Sequence, residues 1–163
     1  MKSLQFRYAK ETDAALILDF IKDLAEYEKM SDEVVVTEEM LRKLLFEEKR
    51  AEVIFAMEND CEVGFALFFH NFSTFLGRAG IYLEDLYVKP EYRGKGYGKA
   101  LIKQLACITV ERGCGRLEWS CLDWNKPSID FYLSLGAKPM DGWTIYRVTG
   151  DVLKKLANGT ETD

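Results

Sequence analysis

The stretch "AGIYLEDLYVKPEYRGKGYGKALIKQL", residues 79–105, constrains the fold more than any other part of the chain. An apolar, β-rich run closes at Pro90. Gly94, Gly96 and Gly98 then stand at every second position among Arg93, Lys95 and Lys99, and Leu101, Leu105 and Ile108 recur at helical spacing. This predicts a strand, a glycine loop and a helix in immediate succession. The first N–H groups of such a helix have no partner within it, and its dipole favours negative charge at that end. Glycines there let an anion approach the backbone without a Cβ in the way. The bland alternative is a glycine turn with solvated lysines.

The remaining elements build around that unit. Leu4, Phe6 and Tyr8 alternate with polar residues as a first strand. Thr12 is placed to cap a helix whose apolar side runs Ile17, Phe20, Ile21, Leu24 and Tyr27. A second helix follows Thr37, with Leu41, Leu44 and Leu45 on one face. "AEVIFAM" and "CEVGFALFFHN" read as a hairpin turning at Asn59-Asp60. After the glycine loop and its helix come a strand in "RLEWSCLDW" and a short helix in "NKPSIDFYLSLGA", with Pro127 in its first turn and Gly136 past its end. "WTIYRVT" predicts a last strand, and a short helix through Leu153 and Leu156 follows it. The order β-α-α-β-β-β-α-β-α-β implies an antiparallel meander followed by a right-handed parallel crossover, hence a mixed α+β sheet.

No repeat or linker divides the chain, and its 163 residues suit a single domain, 1–163. A net charge of −5 disfavours non-specific nucleic-acid binding and is compatible with a cationic small substrate. No run approaches the roughly 18 apolar residues of a membrane span, and the N-terminus lacks the apolar core of a secretion signal. Cys61, Cys107, Cys114 and Cys121 form no C-x-x-C pair, and His70 is the single histidine, so no metal site is expected. The four thiols read as reduced core residues of a cytoplasmic protein.

The glycine spacing is G-x-G-x-G, which is neither the dinucleotide fingerprint nor a Walker loop. Arg93-x-x-Gly96-x-Gly98 resembles the pyrophosphate-binding signature of the Gcn5-related N-acetyltransferases (GNAT), and the element order is similar as well. "IKDLAEYEKM", "YLEDLYVKPEYRGKGYG" and "WNKPSIDFYLSLGA" resemble the diamine (spermidine/spermine) and thialysine N-acetyltransferases from Leu4 to Leu156. The resemblance implies a GNAT fold, a twisted sheet of six to seven strands flanked by helices. It also implies acetyl-CoA as co-substrate, a primary amine as acceptor, and a homodimer.

For the coenzyme the resemblance implies main-chain groups of Leu86, Tyr87 and Val88, the loop Arg93, Gly94, Lys95, Gly96, Tyr97, Gly98 and Lys99, and the helix start Asn125, Lys126, Pro127 and Ser128. It makes Tyr132 the proton donor to the leaving thiolate and Glu84 the candidate base. Tyr27, Glu28, Glu118, Trp119 and Ser120 match positions lining the acceptor side, together with Glu84. The diamine enzymes carry a longer, Glu-rich connection before the last strand. This chain has only "KPMDGW", with Asp141 its one acid. The acceptor therefore stays open between a polyamine or diamine and a thialysine- or lysine-like amino acid.

The chemistry suits these residue types. A primary amine with a pKa near 10.4 arrives as an ammonium ion and must lose a proton before it attacks a thioester. A carboxylate such as Glu84 can bind that cation and accept or relay the proton; its bland alternative is an ordinary ion pair. A phenol of pKa about 10 still holds its proton at neutral pH and can give it to a thiolate; a core aromatic is the alternative for Tyr132. A backbone N–H around Leu86 or Tyr87 would steady the oxyanion. An acyl-Cys121 route lacks a partner base. Competing functions are a protein lysine or N-terminal acetyltransferase, and a catalytically silent acyl-CoA sensor that would need neither Glu84 nor Tyr132.

Overall fold

A computed structural model describes residues 3–159 and resolves into two compact units, one up to Ser120 and one from Cys121 onward. The first unit carries a sheet of five strands in sequential order: β1 (Gln5–Tyr8), β2 (Glu52–Glu58), β3 (Cys61–Ser73), β4 (Arg78–Val88) and β5 (Leu117–Trp119). β1 to β4 pair antiparallel, and β4 pairs with β5 in parallel across the helix α3 (Tyr97–Glu111). The mixed α+β sheet thus forms as the order of elements predicts. Asn59 and Asp60 both adopt positive φ, as a two-residue hairpin between β2 and β3 requires.

One face of the sheet is covered by α1 (Ala14–Tyr27) and the other by α3. Phe20 of α1 stacks on Phe65 with ring centroids 5.0 Å apart, lies 5.8 Å from Phe55, and meets Tyr87 edge-on at 6.4 Å. All four rings are buried, each worth about 1.5–3 kcal/mol on transfer from water. On the other face the helix spacing read from the sequence holds, because Leu101, Leu105 and Ile108 of α3 are all buried.

Four expectations need correction. Thr12 does not cap α1; it lies inside a 3-10 turn, Glu11–Asp13, and Asp13 takes the cap position. The second helix begins as expected at α2 (Glu38–Leu41), where the Thr37 hydroxyl accepts from the Met40 N–H at 3.2 Å. It then continues as a π-helical segment, Arg42–Glu47. Wider turns rotate successive side chains off the α register, so Leu41 and Leu45 are buried while Leu44 is exposed. The cysteines are free but are not core thiols: Cys61 and Cys107 are exposed, Cys114 and Cys121 half-buried.

The largest correction is in strand count. The sheet has five strands rather than six to seven, and β5 is limited to Leu117–Trp119. The residues of "WTIYRVT", 143–149, belong to no strand. Strand propensity alone does not make a strand, and residues 143–149 take part in none of the strand pairings among the described residues. The second unit instead contains α4 (Lys126–Ser134) and α5 (Gly150–Ala157).

Gly64 of β3 lies close against both β4 and α3. A Cβ there would lie 2.9 Å from the Tyr87 carbonyl oxygen and 3.3 Å from side-chain atoms of Leu101 and Val88. The nearest atom is backbone and cannot swing aside. Gly64→Ala should therefore cost about 1–3 kcal/mol, lowering the thermal midpoint by about 2–10 °C. A midpoint unchanged by calorimetry would show that the Tyr87 backbone shifts to admit the methyl group without cost.

Candidate active site

β4 is held unequally along its two edges. Toward β3 it pairs from Arg78 to Val88; toward β5 it pairs only over Ile81–Leu83. Beyond Leu83 no described strand continues the sheet on that side. The Lys89 N–H donates to the Val63 carbonyl at 2.9 Å, and antiparallel pairs alternate between bonded and non-bonded. Tyr87, opposite Phe65, therefore turns its peptide groups to β3, whereas Leu86 and Val88 turn theirs to the open side. Leu86 and Val88 thus carry their peptide groups on the edge away from β3, where the Val88 carbonyl accepts from Arg93 Nε. Tyr87 instead contributes a buried ring to the core.

A β-bulge interrupts β4 within the motif "LEDLY". Phe68 pairs with Leu83 and Leu67 with Asp85, so Glu84 is left without a partner across the ladder. The extra residue breaks the alternation of faces. Glu84 is exposed and Asp85 half-buried.

Glu84 and Asp85 form an acidic set with Glu28, which caps the C-terminus of α1. Burial first, and then the charges of Glu84 and Glu28, push Asp85 from an ordinary 3.8 up to about 7. Burial, followed by the Glu84 charge, raises Glu28 as well. Asp85 was not singled out from the sequence, because adjacent acids on a regular strand would face opposite sides. The signal that could have found it is a pair of acids inside an otherwise apolar central strand.

The glycine loop leads from β4 into α3. Gly94 and Gly96 have φ of 79° and 81°, left-handed values that favour glycine, and Gly96 occupies the cap position of α3. A Cβ built at Gly94, Gly96 or Gly98 meets nothing within 4 Å, so the backbone there borders open space. This is the cradle an anion needs at a helix N-terminus, and it fits a phosphate group.

The charged residues of the loop divide between cradle and scaffold. Arg93 donates through Nε to the Val88 carbonyl at 2.9 Å, and its guanidinium lies 5.1 Å from the ring centres of Tyr27 and Tyr87. Lys95 bonds Glu58 of β2 at 3.2 Å, and the Tyr97 hydroxyl donates to the same carboxylate oxygen. That bond pushes the Tyr97 phenol up. Lys99 is exposed in the first turn of α3. The role of Glu58 as anchor was not legible beforehand, since it lies far away in sequence.

On β5, Glu118 pairs with Arg116 at 2.7 Å and accepts from Asn71 at 3.2 Å. The Ser120 hydroxyl lies 2.6 Å from that of Tyr82, and Trp119 pairs across to Leu83. Glu118 is thus already committed to a cation of the chain itself.

In the second unit, Asn125 caps α4 by accepting from the Ser128 N–H at 3.4 Å, and Pro127 occupies the first turn. Lys126 pairs with Asp130 at 2.8 Å. Tyr132 is half-buried, its ring 5.4 Å from that of Phe131, and Asp141 is exposed. Among the described residues no cluster of three potential metal ligands occurs, and no helix is long and apolar enough to cross a membrane.

An acetyltransferase (GNAT) family model matches residues 18–137, which include the bulged strand, the glycine loop and α4. The chain belongs to the GNAT family. It is 43% identical to a thialysine N-epsilon-acetyltransferase of Bos taurus, over 96% of this chain and 99% of that one. It is 30% identical to an L-ornithine N5-acetyltransferase of Arabidopsis thaliana, over 93% and 87%. Among solved structures, an integron cassette protein of V. cholerae superposes with a TM-score of 0.80 at 30% identity, covering 96% of this chain and 98% of that one. This GNAT chain is accordingly an N-acetyltransferase.

The raised Asp85 makes a prediction about stability. Between its ordinary value and about 7 the folded state holds a proton that the unfolded state has released. Stability from this group is therefore fully present at low pH and lost as pH rises toward 7. Asp85→Asn cannot ionise, so its thermal midpoint should exceed that of the parent at pH 8 by more than at pH 5. An equal difference at the two pH values would mean that Asp85 does not titrate in that window.

Proposed function

We propose that this single catalytic domain transfers an acetyl group from acetyl-CoA to the side-chain amine of a small thialysine- or lysine-like amino acid, with diamines and polyamines as weaker acceptors. The observation that carries the reading is the open glycine cradle beside a bulged strand bearing Glu84 and Asp85. The names of two relatives support the acceptor class, since thialysine and ornithine are both α-amino acids with a distal primary amine. The functional reading includes a cytoplasmic homodimer.

The loop N–H groups around Gly94, Gly96 and Gly98, with Lys99, would hold the pyrophosphate, and the outward peptide groups of Leu86 with the Val88 N–H would hold the pantetheine arm. Asn125 to Ser128 would complete the coenzyme contacts. The co-substrate supplies the acetyl thioester. Glu84 meets the incoming ammonium and takes up its proton, directly or through water. Asp85 keeps a second acid of near-neutral pKa behind it, closer to the range in which a carboxylate works as a base than an ordinary Glu is. The amine nitrogen then forms the C–N bond while the Leu86 N–H steadies the oxyanion; nitrogen gives its second proton to water, the C–S bond breaks, and Tyr132 would give a proton to sulfur and regain one from solvent. Tyr27, Glu28, Trp119, Ser120 and Asp141 would shape the acceptor side. Glu118 acts there as a brace through Arg116.

Tyr132→Phe removes one hydroxyl and little volume. It should lower kcat by about 10²–10⁴ with little change in coenzyme affinity. Near-parental turnover in steady-state assays would leave the tyrosine a packing residue only.

Acceptor choice is tested with purified protein, acetyl-CoA and a panel of thialysine, lysine, spermidine, a short diamine and a monoamine of matching length, with products identified by mass spectrometry. The expected order of kcat/KM places thialysine first and the monoamine last. A distal charge read through a charge-assisted hydrogen bond is worth about 1–3 kcal/mol, roughly 5- to 150-fold. Equal use of the monoamine would remove any reading of a second polar group.

A further inference from the structure

The acidic set around Glu84 answers one end of an acceptor, the ammonium that reacts. The same face of the sheet carries a second charged group farther along, on β5. Asp85 lies across from Leu67 and Tyr82 from Phe69, two residues apart on β3, so both fall on one face. The ring of Tyr82 meets that of Phe69 at 5.3 Å. Glu118 pairs beside Tyr82, and Arg116, two residues earlier on the same strand line, shares its face. All of these residues belong to the first compact unit.

The pair Arg116 and Glu118 is held by one edge of each partner. Arg116 Nε lies 2.7 Å from Glu118 Oε1, and Asn71 Nδ2 donates to that same oxygen at 3.2 Å. Glu118 Oε2 and the two terminal nitrogens of Arg116 hydrogen-bond no other described residue. Both side chains are open to solvent, Arg116 at 40% and Glu118 at 36%. Their placement depends on Gly80, which lies opposite Asn71. A Cβ there would stand 2.4 Å from Asn71 Oδ1 and 3.1 Å from Arg116 Cγ, so bare backbone is what lets both side chains lie across β4. Asn71 Oδ1 is buried without a hydrogen-bond partner. An ordinary surface ion pair has no such support, because leaving a buried acceptor unpaired costs stability.

We propose that Arg116 and Glu118 read the head group of an amino-acid acceptor, the terminal nitrogens of Arg116 taking its α-carboxylate and Glu118 Oε2 its α-ammonium. The pairing rests on the acceptor class proposed above and names the residues that select it. A guanidinium edge and a carboxylate match in two parallel hydrogen bonds. A zwitterionic head and a salt-bridged pair are each neutral overall and dipolar, so they fit in antiparallel fashion. A diamine or polyamine brings a second cation instead, which gains nothing from Arg116 and is repelled by it. The spacing suits the same acceptor. Tyr82 and Asp85 are two β3 steps apart, about 7 Å along the sheet. A lysine-like side chain extended from Cα to its distal nitrogen spans about 6 Å at ordinary bond lengths. The hydroxyls of Tyr82 and Ser120, 2.6 Å apart, line the stretch between.

The test removes the head group from the substrate and its reader from the protein. Steady-state kcat and KM are measured with acetyl-CoA for thialysine and for bis(2-aminoethyl) sulfide, the same chain without the carboxylate. The parent should favour thialysine in kcat/KM by about 10- to 100-fold, as a charge-assisted bidentate contact implies. Arg116→Gln should bring that ratio close to one, chiefly by raising KM for thialysine. Arg116→Lys keeps the charge without the fork and should recover part of the preference. Should the glutamine variant fail to fold by circular dichroism, the lysine variant and the comparison within the parent still decide. A parent that uses the sulfide diamine as well as thialysine would overturn the inference, as would a folded variant that loses both substrates in equal proportion or keeps the full preference. A wrong acceptor class would show differently, as a parent that acetylates neither compound, and would overturn both readings together.

Discussion

The unequal pairing of β4 is the constraint on which the rest of this structure depends. Along β3 its ladder runs from Arg78 to Val88; along β5 it stops at Leu83. A strand so firmly held on one side can leave peptide groups open on the other without fraying. The buried stack of Phe20 on Phe65, with Tyr87 at its edge, fastens α1 to the same stretch of sheet from one face, and α3 does so from the other. The open edge is therefore rigid, as a surface that must orient another molecule needs to be.

The bulge at Glu84 turns this mechanical arrangement into an electrostatic one. By adding one residue to β4 it brings successive acids, Glu84 and Asp85, into a single neighbourhood with Glu28. Three carboxyl groups at one place cannot all ionise without cost, and burial together with the charges of Glu84 and Glu28 pushes Asp85 up to about 7. A positive charge placed beside these carboxyl groups would relieve the repulsion. Glu118, neutralised by Arg116, does not share in that effect.

Much of this was legible in the chain because the deciding signals are local. The strand-loop-helix around Gly94 to Gly98, the Asn59-Asp60 hairpin, the cap at Asn125 and the buried faces of α1 and α3 each follow from residues within one or two turns. What escaped depends on partners distant in sequence. The bulge is a property of the β3–β4 register, and the shift of Asp85 needs Glu28 from another element. The missing sixth strand is the same lesson in reverse: Trp143 to Thr149 carry every local mark of a strand, yet hydrogen-bonding partners decide the outcome. The assignment of thiols to the core failed because composition does not say which face a residue occupies.

Glu58 carries a consequence for time rather than for structure. By holding both Lys95 and Tyr97 from β2, it keeps the glycine loop in one conformation before any anion arrives. The entropy of ordering that loop is then lost when the chain folds and not when a ligand binds. An anion bound there, as proposed, would meet amides already aligned, and its capture would wait on diffusion and orientation instead of on a loop closing. Differences in affinity between related anions would then be written chiefly in how long each remains.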